Sequence, residues 1–211
     1  KYTCVEAYTK VAGIDFTRKY FPKLFIFLGD FEYSNNGSKK LGTAEGGKKI
    51  RLLGVNYVDE LKKSRAGLDE YFLKTIHHEF VHILNQTKDY PRDFDKITPN
   101  GYVNDAWSSD ERREGYLPRG FITNYAQKEA REDFAEMVST YIVSTPERWE
   151  AMMKQAEGTD KSGREAIEKK LVICKLYYKE NFGIDLDKVR DAVIERENDV
   201  VNGAYDLRSL N

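Results

Sequence analysis

The 211-residue chain is short of histidine, cysteine and proline, with three, two and five residues. It has no apolar run near the roughly 18 residues that cross a bilayer; its most apolar stretch, Leu24 to Leu28, is strand-sized. Two cysteines, Cys4 and Cys174, cannot form a disulfide framework, and buried thiols are expected rather than a bridge. Charge of one sign is also lacking. Thirty-four basic residues face 35 acidic ones, leaving a net charge of −1. No global positive field exists to draw nucleic acid or an anionic membrane, so neither is expected as a partner. With 40% apolar and 33% charged residues the composition excludes a collagen, a Pro-rich linker and a disordered chain. The length suits one domain, 1–211, with a core that needs no covalent staple. The chain starts at Lys1 with no signal-type apolar region, as expected where an export signal or lipid anchor has been removed.

The patterning predicts an α+β fold with a mixed N-terminal lobe (about 1–88) and a mostly helical C-terminal lobe (about 89–211). Val5 to Tyr20 reads as a short helix. Lys23 to Gly29 reads as a buried strand, Ser34 to Ser38 as a turn, and Lys48 to Tyr57 as a second strand. Leu68 to Gln86 is the clearest helix, because Leu68, Phe72, Ile76, Phe80 and Ile83–Leu84 recur at helical spacing. Residues 87–123 carry Pro91, Pro99, Gly101, Gly115, Pro118 and Gly120 and read as a long loop, of the kind that is often functional. A helix to about Val143 follows, then helices near 146–156, 164–181 and 186–198.

All three histidines fall within six positions, and two of them belong to His78-Glu79-Phe80-Val81-His82. Four residues advance a helix about 40° past one turn and about 6 Å along its axis, so both imidazoles leave one face. That face is expected to look into a cleft while the opposite, apolar face packs. Two neutral imidazoles so placed can bind one Zn²⁺, and Glu79 beside them can reach the metal's water without binding the metal.

A catalytic zinc needs a third protein ligand and an open position. His77 points elsewhere on the helix, and Asn85 and Lys88 stand where an extended zinc motif would place Gly and His. The third ligand is then a carboxylate, with Cys4 and Cys174 as weaker options. The best source is Glu129-Ala130-Arg131-Glu132-Asp133-Phe134-Ala135-Glu136. Glu129, Glu132 and Glu136 share one helical stripe, and such carboxylates repel one another unless solvated or served by a cation. Glu132 is the foremost candidate, with Asp133 and Glu136 as alternatives.

Taken together, His78 to Gln86, Tyr125 and Glu132 to Glu136 resemble a group of bacterial lipoproteins classed as zinc metallopeptidases and associated with TonB-linked nutrient import. The tail also resembles that of lethal-factor-like zinc peptidases, where a Tyr stands seven residues before the ligand Glu and a second Glu four after it. Tyr125, Glu132 and Glu136 have that spacing. The resemblance covers roughly residues 68–145. It implies a zincin-like fold with Zn²⁺ between the lobes, held by His78, His82 and Glu132. It implies Glu79 as general base, Tyr125 as oxyanion donor and Glu136 behind a ligand histidine. It also implies a polypeptide substrate and an exported, membrane-anchored protein at the bacterial envelope.

The residue chemistry suits those roles. A carboxylate beside a metal's water can take its proton and pass it to the leaving amine. A tyrosine hydroxyl can steady an oxyanion, and a buried carboxylate can fix a histidine by its other nitrogen. Two rivals are a silent zinc-fold binding module and a zinc hydrolase of a non-peptide amide or ester. Retention of Glu79 speaks against the first. Asp93 and Asp95 hint at a calcium loop, but Thr98 stands where such a loop wants Gly, so solvated acids are expected. Trp107, Tyr102, Tyr116 and Phe121 either line a substrate cleft or pack the long connection. The strand Lys48–Tyr57 is a candidate edge for an extended peptide.

Overall fold

Capping residues set the starts of three helices, at Arg65, Pro146 and Leu186. The computed structural model describes residues 1–35, 37–61 and 64–205. In chain order its elements are α1 (Ala7–Tyr20), β1 (Leu24–Phe27), β2 (Glu32–Tyr33), β3 (Lys39–Lys40), β4 (Gly42–Glu45) and β5 (Lys49–Leu52). Then come α2 (Val58–Leu61), α3 (Arg65–Leu68), α4 (Lys74–Thr87), α5 (Asp110–Arg113), α6 (Ala130–Val143), α7 (Pro146–Ala156), α8 (Ser162–Phe182) and α9 (Leu186–Val201). Thr145 Oγ1 accepts the Arg148 N–H and Pro146 occupies the first turn of α7, a cap and a pre-set φ together. Asp185 caps α9 through the N–H groups of Asp187 and Lys188. Gly13, at φ +82°, breaks α1 into two segments, a conformation that L side chains rarely adopt.

One sheet has the order β1-β5-β4, with β5 parallel to β1 and antiparallel to β4. The small β2–β3 hairpin stands apart, closed by a turn in which the Ser34 N–H donates to the Ser38 carbonyl at 2.8 Å. Two strand expectations need correction. The Lys48–Tyr57 strand is shorter, because Gly54 at φ +77° turns the chain into a 3₁₀ turn at Val55–Tyr57. It is also central, paired on both edges, so it has none to offer a peptide; the outer strand beside α4 is β4. β1 is not a buried strand but the opposite edge of the sheet, with Leu24 51% and Phe27 62% exposed. A continuous apolar run does not say whether both faces are covered.

The long helix expected over Leu68–Gln86 begins earlier. Ser64 caps α3 by accepting the Gly67 N–H at 3.1 Å, and a wide π-type turn at Asp69–Leu73 leads into α4. α4 packs its apolar face as expected, and its cleft-lining face is buried as well. Thr75, His77, His78, Glu79, Phe80, Val81, Ile83, Leu84 and Asn85 are all buried. The reason is its position, with α6, β4 and β5 packed around it. Phe80 is fully buried and meets Tyr8, Phe16 and Phe21 with ring centroids 5.1, 6.2 and 3.9 Å away, which ties α4 to α1. Phe134 does the same for α6, against Phe94, Tyr90 and Tyr177. Each such fully buried ring contributes roughly 1.5–3 kcal/mol over exposure. α1 also packs on α9, so the first helix joins the C-terminal helices. Cys4 and Cys174 are buried free thiols.

The region 88–128 is irregular, with 3₁₀ turns at Pro99–Gly101, Asn104–Ser108 and Tyr125–Gln127 around α5. Asp93 is an exposed acid paired with Lys96 at 2.7 Å, whereas Asp95 is half-buried and lies 3.5 Å from Arg92, so the expectation of solvated acids holds for Asp93 alone. A buried ion pair fastens this region to α6. Lys170 and Asp133 are both fully buried, with Nζ 2.6 Å from Asp133 Oδ2 and 2.8 Å from the Gly120 carbonyl. Tyr102 donates to the same carboxylate at 3.0 Å, and the ammonium lies 4.1 Å from the Phe121 ring centroid. Burial pushes the Asp133 carboxyl up to about 6, against the pull of Lys170. Removing one partner strands a buried charge, typically about 3–5 kcal/mol, whereas replacing both with apolar groups is far milder. Lys170→Met is therefore expected to lower the melting temperature by roughly 6–20 °C at neutral pH. Adding Asp133→Leu should recover most of the loss. Circular dichroism melts check this, and an unchanged single variant would remove the pair from the framework.

Candidate metal centre

α4 presents His78 and His82 one turn apart, and α6, its most extensive packing partner, presents Glu132 toward them. The two Nε2 atoms are 3.0 Å apart, and each lies 3.1 Å from Glu132 Oε2. Among the described residues His78, His82 and Glu132 form the group of three whose ligand atoms could hold one metal ion. Three ligands of a tetrahedral zinc at about 2.0–2.1 Å stand about 3.3 Å from one another. The observed triangle is a few tenths of an ångström tighter. Two imidazole nitrogens and one carboxylate oxygen also match the chemical preference of that ion, so the residues fit it.

Glu136, one turn beyond Glu132, places Oε1 2.8 Å from His78 Nδ1. Its other oxygen accepts from Lys74 Nζ at 2.8 Å and Thr123 Oγ1 at 2.5 Å. The carboxylate thus lies at ion-pair distance from the ring nitrogen opposite the Nε2 that faces Glu132, although the alignment there is not that of a hydrogen bond. Burial alone would raise the Glu136 carboxyl, but Lys74 and His78 outweigh it and hold it well below the ordinary range. Glu132 is likewise held low by His78 and His82 against its burial. Burial pulls the His78 ring down, yet Glu132 and Glu136 outweigh it and lift it to about 10. A proton and a divalent cation would answer the same pair of carboxylates.

Glu79 is buried and stands free of the three-atom cluster. Its carboxyl is raised, chiefly by burial, with His78 and His82 opposing. Beside it β4 comes very close: a Cβ on Gly42 would lie 2.6 Å from Thr75 Cγ2 and 3.4 Å from Glu79 Cγ. Gly42 is therefore the residue that lets the strand pass over the metal helix. Tyr125 sits with its ring centroid 6.0 Å from that of His78 and packs edge-on against Trp107 at 5.0 Å. Burial, then the Glu132 charge, pushes its phenol well up, so it stays a hydrogen-bond donor. Lys128 Nζ lies 3.2 Å from Tyr125 Oη and 3.3 Å from Glu132 Oε1. A cleft of about 440 Å³ joins these groups, lined among others by Gly42, His78, Glu79, Trp107, Tyr125 and Glu136.

The sequence-chosen residues His78, Glu79, His82, Tyr125, Glu132 and Glu136 thus meet at one place. Asp133 points away to Lys170, and Glu129 is exposed. Of the four aromatic candidates, Trp107 lines the cleft, while Phe121 is buried, Tyr102 bonds Asp133 and Tyr116 packs against the core. His77 is fully buried behind the site, 3.7 Å from Cys4 Sγ, and burial pushes its pKa down to about 3. Lys74, Thr123 and Lys128 were missed. Lys74 stands four residues before His78 and Lys128 four before Glu132, so helical spacing held a signal for both; Thr123 had none.

Comparison with known proteins follows the same line. Residues 1–187 match the family described as "Putative zinc-binding metallo-peptidase". A crystal structure from Bacteroides caccae, also described as a putative zinc-binding metallo-peptidase, superposes with a TM-score of 0.81 at 34% identity. The match covers 100% of this chain and 77% of that one. No curated protein matches. The chain belongs to the family that carries this description.

Proposed function

We propose that the protein is a zinc-dependent peptidase with a zincin-like fold. In this reading His78, His82 and Glu132 hold the ion, Glu79 is the general base, Tyr125 donates to the oxyanion and Glu136 orients His78. The observation that carries it is the convergence of two Nε2 atoms and one carboxylate oxygen within 3.0–3.1 Å, with a separate buried carboxylate alongside. When bound, zinc supplies a Lewis acid that polarises a carbonyl and draws the pKa of water toward about 7.

The chain's own groups then have distinct tasks. The outer edge of β4 can pair with an extended peptide and lay it across the cleft, a geometry that favours polypeptide over a small ester or amide. A Glu79 carboxylate oxygen accepts the proton released as the carbonyl is attacked and returns it to the leaving nitrogen. Its raised pKa suits both transfers. The Tyr125 hydroxyl donates to the carbonyl oxygen as that atom gains charge, a contribution of about 2.7–4 kcal/mol by comparison with other oxyanion donors. No described helix is long and apolar enough to cross a membrane. Export as a lipoprotein beside TonB-linked import, implied by the sequence resemblance, belongs to the same proposal.

Glu79→Gln is expected to keep zinc by elemental analysis while cleavage of a diverse peptide mixture falls about 10²–10⁴-fold. Equal cleavage would end the general-base assignment. Chelation should abolish cleavage by the wild type and re-addition of zinc should restore it. Glu132→Ala should abolish stoichiometric zinc, and full occupancy would hand the ligand role to another group. Glu136→Ala should weaken zinc binding about 10–100-fold in a competition titration; an unchanged constant would leave it no part in holding His78.

A further inference from the structure

Beyond Trp107 and Tyr125 the cleft continues into a second chamber of about 560 Å³, whose walls include Tyr33, Ser34, Lys40, Asp105, Trp107 and Lys128. Its charges are unevenly matched. Lys40, on the hairpin strand β3, is exposed and forms no ion pair with any described residue. Glu32, its cross-strand neighbour, is committed to Arg51 at 2.7 Å. Lys39 lies 5.0 Å from the Phe31 ring centroid and 6.0 Å from that of Tyr71, outside this chamber. Lys128 leans on Glu132 Oε1 at 3.3 Å. A divalent cation held by Glu132 would compete with Lys128 for that carboxylate's charge. Asp105 is the one acidic residue lining the chamber, and it is exposed and pairs with neither ammonium among the described residues.

We propose that this chamber selects substrates carrying a carboxylate near the scissile bond, with Lys40 and Lys128 as its counter-charges and Trp107 and Tyr33 flanking the apolar part. The inference rests on the peptidase reading and names its substrate class. The carboxylate has two possible sources, an Asp or Glu side chain or the free C-terminus of the peptide. One lysine–carboxylate contact of this exposure changes affinity by a factor of about 2–5 at low salt, and two together by about 10.

Zinc-loaded Glu79→Gln protein, which binds without cutting, is titrated calorimetrically with peptides of one length. Glu or Gln occupies each position in turn, and each peptide is made as free acid and as C-terminal amide. The carboxylate form is expected to bind about 10-fold tighter, the gap closing at about 0.5 M salt. Lys40→Glu in the same background should erase that preference while leaving the neutral amides unchanged. A gap that follows Glu position assigns a side-chain carboxylate; one that follows the free acid assigns the terminus. Equal binding of all peptides, no binding at all, or a preference that survives Lys40→Glu would overturn the proposal. Failure of the hydrolytic reading would look different: wild-type protein would cut nothing, yet the Lys40-dependent preference would persist.

Discussion

The packing of α4 against α6 is the constraint on which the rest depends. It sets one carboxylate oxygen of Glu132 3.1 Å from both ring nitrogens presented by the preceding helix. Neither helix could do this alone, because a single turn supplies two histidines but no third group at the right height. The interface is rigid for identifiable reasons. Phe80 and Phe134 anchor the two helices into opposite sides of one aromatic core, and close-packed interiors transmit small shifts. Directly after Glu132, Asp133 is pinned by a fully buried lysine from α8. The residue that faces the metal position and the residue that fixes the helix are thus neighbours in sequence with opposite directions.

Around that interface the charges form a graded series. Deepest are Asp133 and Lys170, which answer each other and take no part in the cleft. Next is Glu136, shared by Lys74, Thr123 and His78, so its orientation does not depend on solvent. Glu79 has no lysine or arginine partner among the described residues, and burial raises its proton affinity against His78 and His82. Outermost are Lys128 and Lys40, whose charges face open cleft. The roles proposed for these groups, from structural to substrate-facing, therefore follow depth.

The local part of this arrangement was legible in the sequence. His78, Glu79 and His82 lie within five positions, and helical spacing fixes their shared face. The helices near 146–156 and 186–198 were also legible, and the structure starts them at Pro146 and Leu186. What was harder depends on contacts distant in sequence. Alternation and apolar runs could not tell that β5 lies between two partners or that β1 is an outer strand, since both facts belong to the sheet order. The amphipathic reading of α4 gave its two faces but not the depth of its polar face: His78 and Glu79 line the cleft, yet both are buried because α6 and the sheet cover the helix. Lys170 looks like any surface lysine of a charged helix, and its burial becomes visible only when Asp133, Tyr102 and the Gly120 carbonyl are seen to meet there. The roles proposed for Tyr125 and Glu136 were reached only through the resemblance to lethal-factor-like zinc peptidases, whose spacing around the ligand Glu they share.

Anomalous scattering at the zinc absorption edge, measured from crystals grown with zinc, tests the helix-to-helix convergence most directly. The expected result is one peak about 2.0–2.1 Å from His78 Nε2 and His82 Nε2 and about 2.0–2.2 Å from a Glu132 oxygen, with the remaining direction open to the cleft. A peak lying elsewhere, or one completed by a protein group other than Glu132, would contradict the assignment of this site.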